Sequence, residues 1–192
     1  MTTTQNTSGT AVQLSAYTAA VLAQMSSVIQ PYVGPRAADY AAHVGAHMRH
    51  IIEHYDALAN ALKAVNTGTA RVCTADYDAR ERNLLVEADP LEAMRRIALI
   101  EVVFGPATGL SESAVSQRVE VHTRGGLQGE HDFCTASTVA RELMFLNSHA
   151  THHFAILQGY ARERGETLGA GVGKAPATVA HEQRLNKSKA AA

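Results

Sequence analysis

Cysteine occurs only twice in this sequence, at Cys73 and Cys134. The two thiols are far apart and match no CxxC spacing, which excludes a thiolate metal knuckle and an adjacent redox pair, so reduced thiols are expected. Charge of one sign is also lacking. The net charge is -1 and the 17 Lys and Arg residues are scattered, so no basic face is available for a nucleic-acid backbone. No uninterrupted apolar run approaches the roughly 18 residues of a membrane span. The polar start Met1–Thr10 lacks the basic and apolar regions of a signal peptide. These absences predict a cytoplasmic chain with neither nucleic acid nor membrane as partner.

What is present is a chain of 192 residues, 46% of them hydrophobic, enough for one globular domain with a sizeable core. Apolar residues recur at three and four positions in four stretches, the period of a helix with one buried face. Leu14, Tyr17, Val21, Met25 and Val28 define the first, closed by Pro31, Gly34 and Pro35. Val44, Met48, Ile51, Tyr55, Leu58 and Leu62 define the second, over 37–65. Leu91, Met94, Ile97 and Ile100 define the third, over 90–104, with Asp89 as N-cap and Pro90 in the first turn. The fourth, over 138–161, is framed by Phe145, Leu146, Phe154, Ile156 and Leu157, with Thr135 or Ser137 as its cap.

Between the third and fourth helices the period changes to two. Val115, Gln117, Val119 and Val121 alternate with polar residues and Gly125-Gly126 and Gly129 follow, which predicts a short β-hairpin returning near Asp132 to Cys134. The expected organisation is a flexible tail over 1–10, an all-α bundle of four helices over 11–165 with this small hairpin, and a partly disordered C-terminal extension over 166–192.

The ten histidines are not spread evenly. Seven lie in the second and fourth helices. His149 and His153 are four apart, so their rings stand one above the other on one helix face, about 6 Å apart along the axis. That spacing suits two imidazole ligands of one divalent ion. A helix turns about 100° per residue, so adjacent His152 falls to the other side of that line. On the second helix His43, His47, His50 and His54 form a stripe beside the apolar one. The stripe is about 16 Å long at 1.5 Å per residue, so only one or two of its members can reach a single ion.

Acidic residues near these clusters have two readings. Asp76-Tyr77-Asp78-Ala79-Arg80-Glu81-Arg82 and the following Glu87 are either a solvated charged loop or the source of a carboxylate that reaches the metal or orients a ligand histidine. Asp78 and Glu87 are the candidates. Glu142 is seven residues before His149 and shares its face. Glu101, among Ile100, Val102 and Val103, is expected on the outer face.

His47-Met48-Arg49-His50-Ile51-Ile52-Glu53-His54-Tyr55, the Asp76 to Arg82 run, and Arg141-Glu142-Leu143 through Ser148-His149-Ala150-Thr151-His152-His153 together resemble the DinB-like superfamily. The resemblance covers roughly residues 11–165. It implies an up-down-down-up four-helix bundle in which one divalent metal is held by one histidine of the second helix and an HxxxH pair of the fourth. By position the triad is His50, His149 and His153, with His54 or His47 as rivals for the first place. Members include thiol-dependent transferases and isomerases that use mycothiol, bacillithiol or similar thiols. The additional histidines, the Asp76 to Arg82 run and the hairpin depart from plainer members.

Three imidazole ligands leave one or two coordination positions open, the catalytic arrangement. Zinc, nickel and iron(II) all accept imidazole. An open site of this kind admits thiol transfer or hydrolysis of a small-molecule substrate, with a low-molecular-weight thiol as cofactor in the first case. No residue is singled out as a catalytic nucleophile or base, so the alternative is a non-catalytic metal-binding or stress-response protein. His47, His54, Asp78, Glu87, Glu142 and His152 are then candidates for supporting contacts or a second metal. The reading admits a homodimer.

Overall fold

The computed structural model describes residues 9–107 and 110–190. Residues 1–8 of the tail expected over 1–10, the loop residue Gly109 and the final two alanines lie outside the described residues.

Four long helices carry the four apolar stripes. They are α1 (Thr10–Ile29), α3 (Gly45–Asn66), α5 (Pro90–Phe104) and α7 (Val139–Glu163). α1 packs on α5 and α7, and α3 packs on the same two, so the four stripes face one interior. That interior is filled by Leu22, Met25, Met48, Ile51, Ile52, Leu58, Ile100, Leu146 and Phe154, all essentially buried, and burial of this kind stabilises by roughly 1.5–3 kcal/mol per large side chain.

One polar rung crosses this interior. The Tyr55 hydroxyl donates to Asn147 Oδ1 at 2.7 Å, and Asn147 Nδ2 donates to Thr18 Oγ1 at 3.1 Å. The rung ties α1, α3 and α7 in one register, because a slip of any of the three leaves a buried polar group without its partner.

The second predicted helix is not continuous. It breaks at Val44 (φ -128°, ψ -38°) into a short α2 (Ala37–His43) and α3. Gly45 explains where the break falls: a Cβ there would lie 1.9 Å from the carbonyl oxygen of Glu87, so α3 starts at the residue that lets the short helical turn before α5 approach. Tyr40 of α2 donates to the Val86 carbonyl at 2.9 Å, and Val86 belongs to the one-turn α4 (Leu84–Ala88). His43 is therefore on a different helix from His47, His50 and His54, and it is exposed.

The predicted hairpin is the outer part of a larger sheet. A short α6 (Glu112–Ser116) leads into β2 (Arg118–Gly125), which pairs antiparallel with β3 (His131–Thr138), and β1 (Thr74–Asp76) adds in parallel on the other side of β2. The fold is thus mainly helical with a three-stranded sheet, a correction to the all-α reading with a two-stranded hairpin. Three residues are too few to show a period, which is why β1 reads as loop in the sequence. Ala75, Val119 and Val121 point into the core.

The cap of α7 also differs from expectation: Thr138, not Thr135 or Ser137, accepts from the Arg141 N–H. Strand β3 runs straight into the helix and keeps the two earlier residues in its ladder. Asp89 caps α5 as expected, with Pro90 in the first turn. The C-terminal segment carries α8 (Pro176–Ala190). Among the described residues, Thr10–Tyr32 alone is long and apolar enough to cross a membrane by length and composition. Its Leu14, Leu22, Met25 and Val28 are instead packed in the core.

Candidate metal centre

The facing surfaces of α3 and α7 decide where the histidines meet. On α3 the buried line Met48, Ile51, Ile52 and Tyr55, and on α7 the buried line Leu143, Leu146, Ala150 and Phe154, seat the two helices on the core. Residues one position off those lines stand at the rim between the helices. His50 on α3, and His149 and His153 on α7, are half-buried there.

The rings converge. His50 Nε2 lies 2.9 Å from His149 Nε2. Ring centroids are 5.0 Å apart for His50 and His149, 4.8 Å for His50 and His153, and 4.6 Å for His149 and His153. One nitrogen from each of the three rings can be chosen so that all lie within 4.8 Å of one another. A tetrahedral ion at about 2.1 Å from each imidazole nitrogen spaces its ligand atoms roughly 3.4 Å apart. The three side chains therefore fit a divalent transition metal with shifts of about an ångström or less, and three protein ligands leave a position open.

His47 and His54 sit on either side. His47 Nδ1 is 2.8 Å from His153 Nδ1, and its ring also meets Tyr160 edge-on at 6.0 Å. A surface cavity of about 380 Å³, lined by His43, His47, Tyr160 and Glu163 among others, opens beside this ring. His54 is buried and uses Nδ1 on the carbonyl of His50, at 2.6 Å. The exposed His152 reaches only the edge of the His153 ring, with centroids 5.8 Å apart.

Burial depresses the basicity of the cluster. Desolvation is the first cause for each ring; neighbouring imidazoles add to it at His50, His54, His149 and His153, and Arg80 adds to it at the first three of these. His50 is lowered to about 3, and His54, His149 and His153 to about 4. His47 is lowered as well, by burial. All five are neutral at pH 7, the form that has a lone pair to give a metal.

The carboxylates occupy other places. Glu142 is buried and accepts from the Tyr77 hydroxyl at 2.8 Å and the Ser137 hydroxyl at 2.6 Å. It reaches the cluster through Tyr77, whose ring stacks on His54 at 5.4 Å, and it also pairs with Arg141 at 3.6 Å. Asp78 accepts from the backbone N–H of Arg124 and so ties the loop after β1 to the sheet. Glu87 pairs with Arg49 at 3.1 Å. Glu101 is exposed, as expected.

Three neighbours of the triad were not anticipated as such. Arg80 places Nη1 3.0 Å from His50 Nδ1 and anchors Nε on the Tyr77 carbonyl at 2.7 Å. Glu53, only 2% exposed in its side chain, lies 3.6 Å from the same Nη1. Its Oε1 accepts from the Asn83 N–H at 2.6 Å, while Oε2 is buried without a hydrogen bond. Phe145 stacks on His149 with centroids 5.6 Å apart. The signal for Glu53 was available: a carboxylate between Ile52 and Tyr55 on a core helix must find a cation. For Arg80 nothing local distinguishes it from Arg82 two residues on.

No family model matches the chain, and no solved structure matches it. Among curated proteins it is similar to FK506-binding protein 5 of Rhizopus delemar, 27% identical over 110 residues, which is 57% of this chain and 28% of that protein. The matched stretch thus spans little more than a quarter of that relative's length.

Proposed function

We propose that this chain is a DinB-like protein with an up-down-down-up bundle that binds one divalent transition metal through His50, His149 and His153 and uses the open position for thiol transfer or hydrolysis of a small molecule. The observation that carries the reading is the convergence of three neutral imidazoles from two helices, with ligand atoms within 4.8 Å. Zinc, nickel or iron(II) suits such a donor set. Bound there, the ion would supply Lewis acidity, holding a thiolate or making water acidic enough to attack.

The surrounding residues have their own parts. Phe145 fixes the plane of His149 by stacking. His54 accepts no role beyond its own ring packing and its bond to the His50 carbonyl, which holds the turn of α3 that presents His50. The cavity beside His47 and Tyr160 offers room for a small molecule one side chain away from the triad, through the contact of His47 with His153. A low-molecular-weight thiol is the co-reactant for the transfer chemistry.

A non-catalytic metal-binding role is the second reading. It is favoured by the engagement of Glu142 with Tyr77 and Ser137 and of Glu53 with the Asn83 N–H and the Arg80 guanidinium, which occupy the two buried carboxylates near the triad. Elemental analysis of untagged protein, followed by thiol-consumption assays of metal-loaded protein against a panel of electrophiles, separates the two. Metal near one equivalent with chelator-sensitive turnover supports the enzyme. Metal without turnover supports the second reading, and absence of metal after reloading at pH 7.5 removes both.

A further inference from the structure

The outward face of the sheet carries a second group of side chains of metal-ligating type, apart from the histidine rim. Along β2 the inward residues are Val119 and Val121, so Glu120 and His122 point the other way, two residues apart on one face. The register sets His122 directly opposite Cys134 of β3. Opposed residues on an antiparallel pair place their Cβ atoms about 4.5–5.5 Å apart on the same face. The sheet itself therefore brings a carboxylate, an imidazole and a thiol together without any loop.

The side chains complete what the register begins. His122 Nε2 is 2.9 Å from Glu120 Oε1, and the Glu120 carboxylate, a His122 nitrogen and Cys134 Sγ all lie within 4.8 Å of one another. The imidazole and carboxylate are about half exposed, at 43% and 46%, and Cys134 is an exposed free thiol. A cavity of about 460 Å³ beside Glu120 and Cys134 leaves room for a further ligand or water.

We propose that Glu120, His122 and Cys134 form a second metal site, on the outer face of the sheet, for a thiophilic divalent cation such as zinc. One sulfur, one nitrogen and one oxygen donor match the borderline softness of zinc, and poorly match magnesium or calcium, which require several oxygens. Binding replaces the thiol proton, which passes to solvent, by a metal–sulfur bond, and no electron changes hands. Glu120 and the thiolate together balance the charge of the ion. The other cysteine, Cys73, is buried at the start of β1.

Cobalt(II) distinguishes this site from the histidine triad, because only a thiolate ligand gives an intense sulfur-to-cobalt charge-transfer band in the near ultraviolet. Titration of the full-length, untagged, reduced chain with cobalt(II) should raise that band to saturation at one equivalent of sulfur-bound metal. His149→Ala should leave it in place, so failure of the triad reading does not remove this one. Cys134→Ser should abolish the band, and His122→Ala should weaken the binding that it reports at least tenfold, while Cys73→Ser should leave it unchanged. The position of these side chains on the outer face of the sheet, away from the core, lets the variants keep the helical circular dichroism of the parent, which is measured alongside. Absence of the band, its survival in Cys134→Ser, or saturation at half an equivalent with dimerisation would overturn a site within one chain.

Discussion

His50 and His149 meet Nε2 to Nε2 at 2.9 Å across the rim between α3 and α7. Two neutral imidazoles in that position share a single proton, and a metal ion can take its place. Removing either ring, or His153, takes away one of three ligands and should lower metal affinity by orders of magnitude. His152→Ala should keep the metal, because that ring is exposed and touches only the edge of His153. His54→Ala and His47→Ala should lower affinity about tenfold as supporting contacts. Metal content after dialysis against a weak chelator measures all six. Loss of metal in His152→Ala with retention in His153→Ala would contradict the assignment.

Acid should loosen the metal-free protein through these same rings. His50 is lowered to about 3 and His54, His149 and His153 to about 4, first by burial. In the unfolded chain each titrates near 6.5. Between those values the unfolded state binds more protons than the folded one, so stability is complete above about pH 6.5 and is lost as pH falls towards 4. Arg80 beside His50 steepens the loss and the carboxylate of Asp78, which favours protonated His54, opposes it. Urea unfolding with a chelator present, at several pH values from 7.5 to about 4.5, should show a falling midpoint. The His50→Gln/His149→Gln double variant should flatten the curve, and an equally steep curve in that variant would assign the effect elsewhere.

Tyr77 holds Glu142 with its hydroxyl while its ring backs His54. Tyr77→Phe keeps the ring and leaves the buried Glu142 carboxylate with Ser137 as its remaining close hydroxyl donor. The expected cost is about 1–3 kcal/mol of stability, with metal content unchanged. Glu142→Gln in the Tyr77→Phe background should recover part of that cost. A drop in metal affinity in Tyr77→Phe larger than tenfold would instead place the hydroxyl in direct support of the site.

The four apolar stripes and the HxxxH pair were legible because helical period is a local signal, repeated over many residues and anchored by caps such as Asp89. The concentration of histidines on two of those helices located the rim where they meet. The break at Val44 was not legible, since it depends on the approach of the Glu87 backbone to Gly45, two segments far apart in sequence. Strand β1 was missed for a similar reason: Thr74–Asp76 becomes a strand only because β2 offers it an edge. His47, His50 and His54 look equivalent on a helical wheel. Side-chain partners distinguish them, His54 turning Nδ1 to a backbone carbonyl and His47 meeting His153 from the far side.

Arg80 is the neighbour whose chemistry conflicts with that of a ligand, and the conflict can be measured. A guanidinium only donates, so the contact of Nη1 with His50 Nδ1 at 3.0 Å makes Nδ1 an acceptor and leaves the ring proton on Nε2. Ligation through Nε2 puts the proton on Nδ1, where it faces the guanidinium. Glu53 Oε2 is the alternative acceptor, buried without a hydrogen bond and 3.6 Å from the same Nη1. Arg80→Met alone leaves the Glu53 carboxylate buried without its cation and should destabilise the fold by about 3 kcal/mol. Adding Glu53→Gln removes the charge, keeps an oxygen for the Asn83 N–H and should restore most of that stability. In the Arg80→Met/Glu53→Gln protein His50 is free to take either tautomer, so zinc affinity measured by chelator competition should equal or exceed that of the parent. A loss of more than tenfold in this double variant would show that Arg80 supports the metal site rather than competing with it.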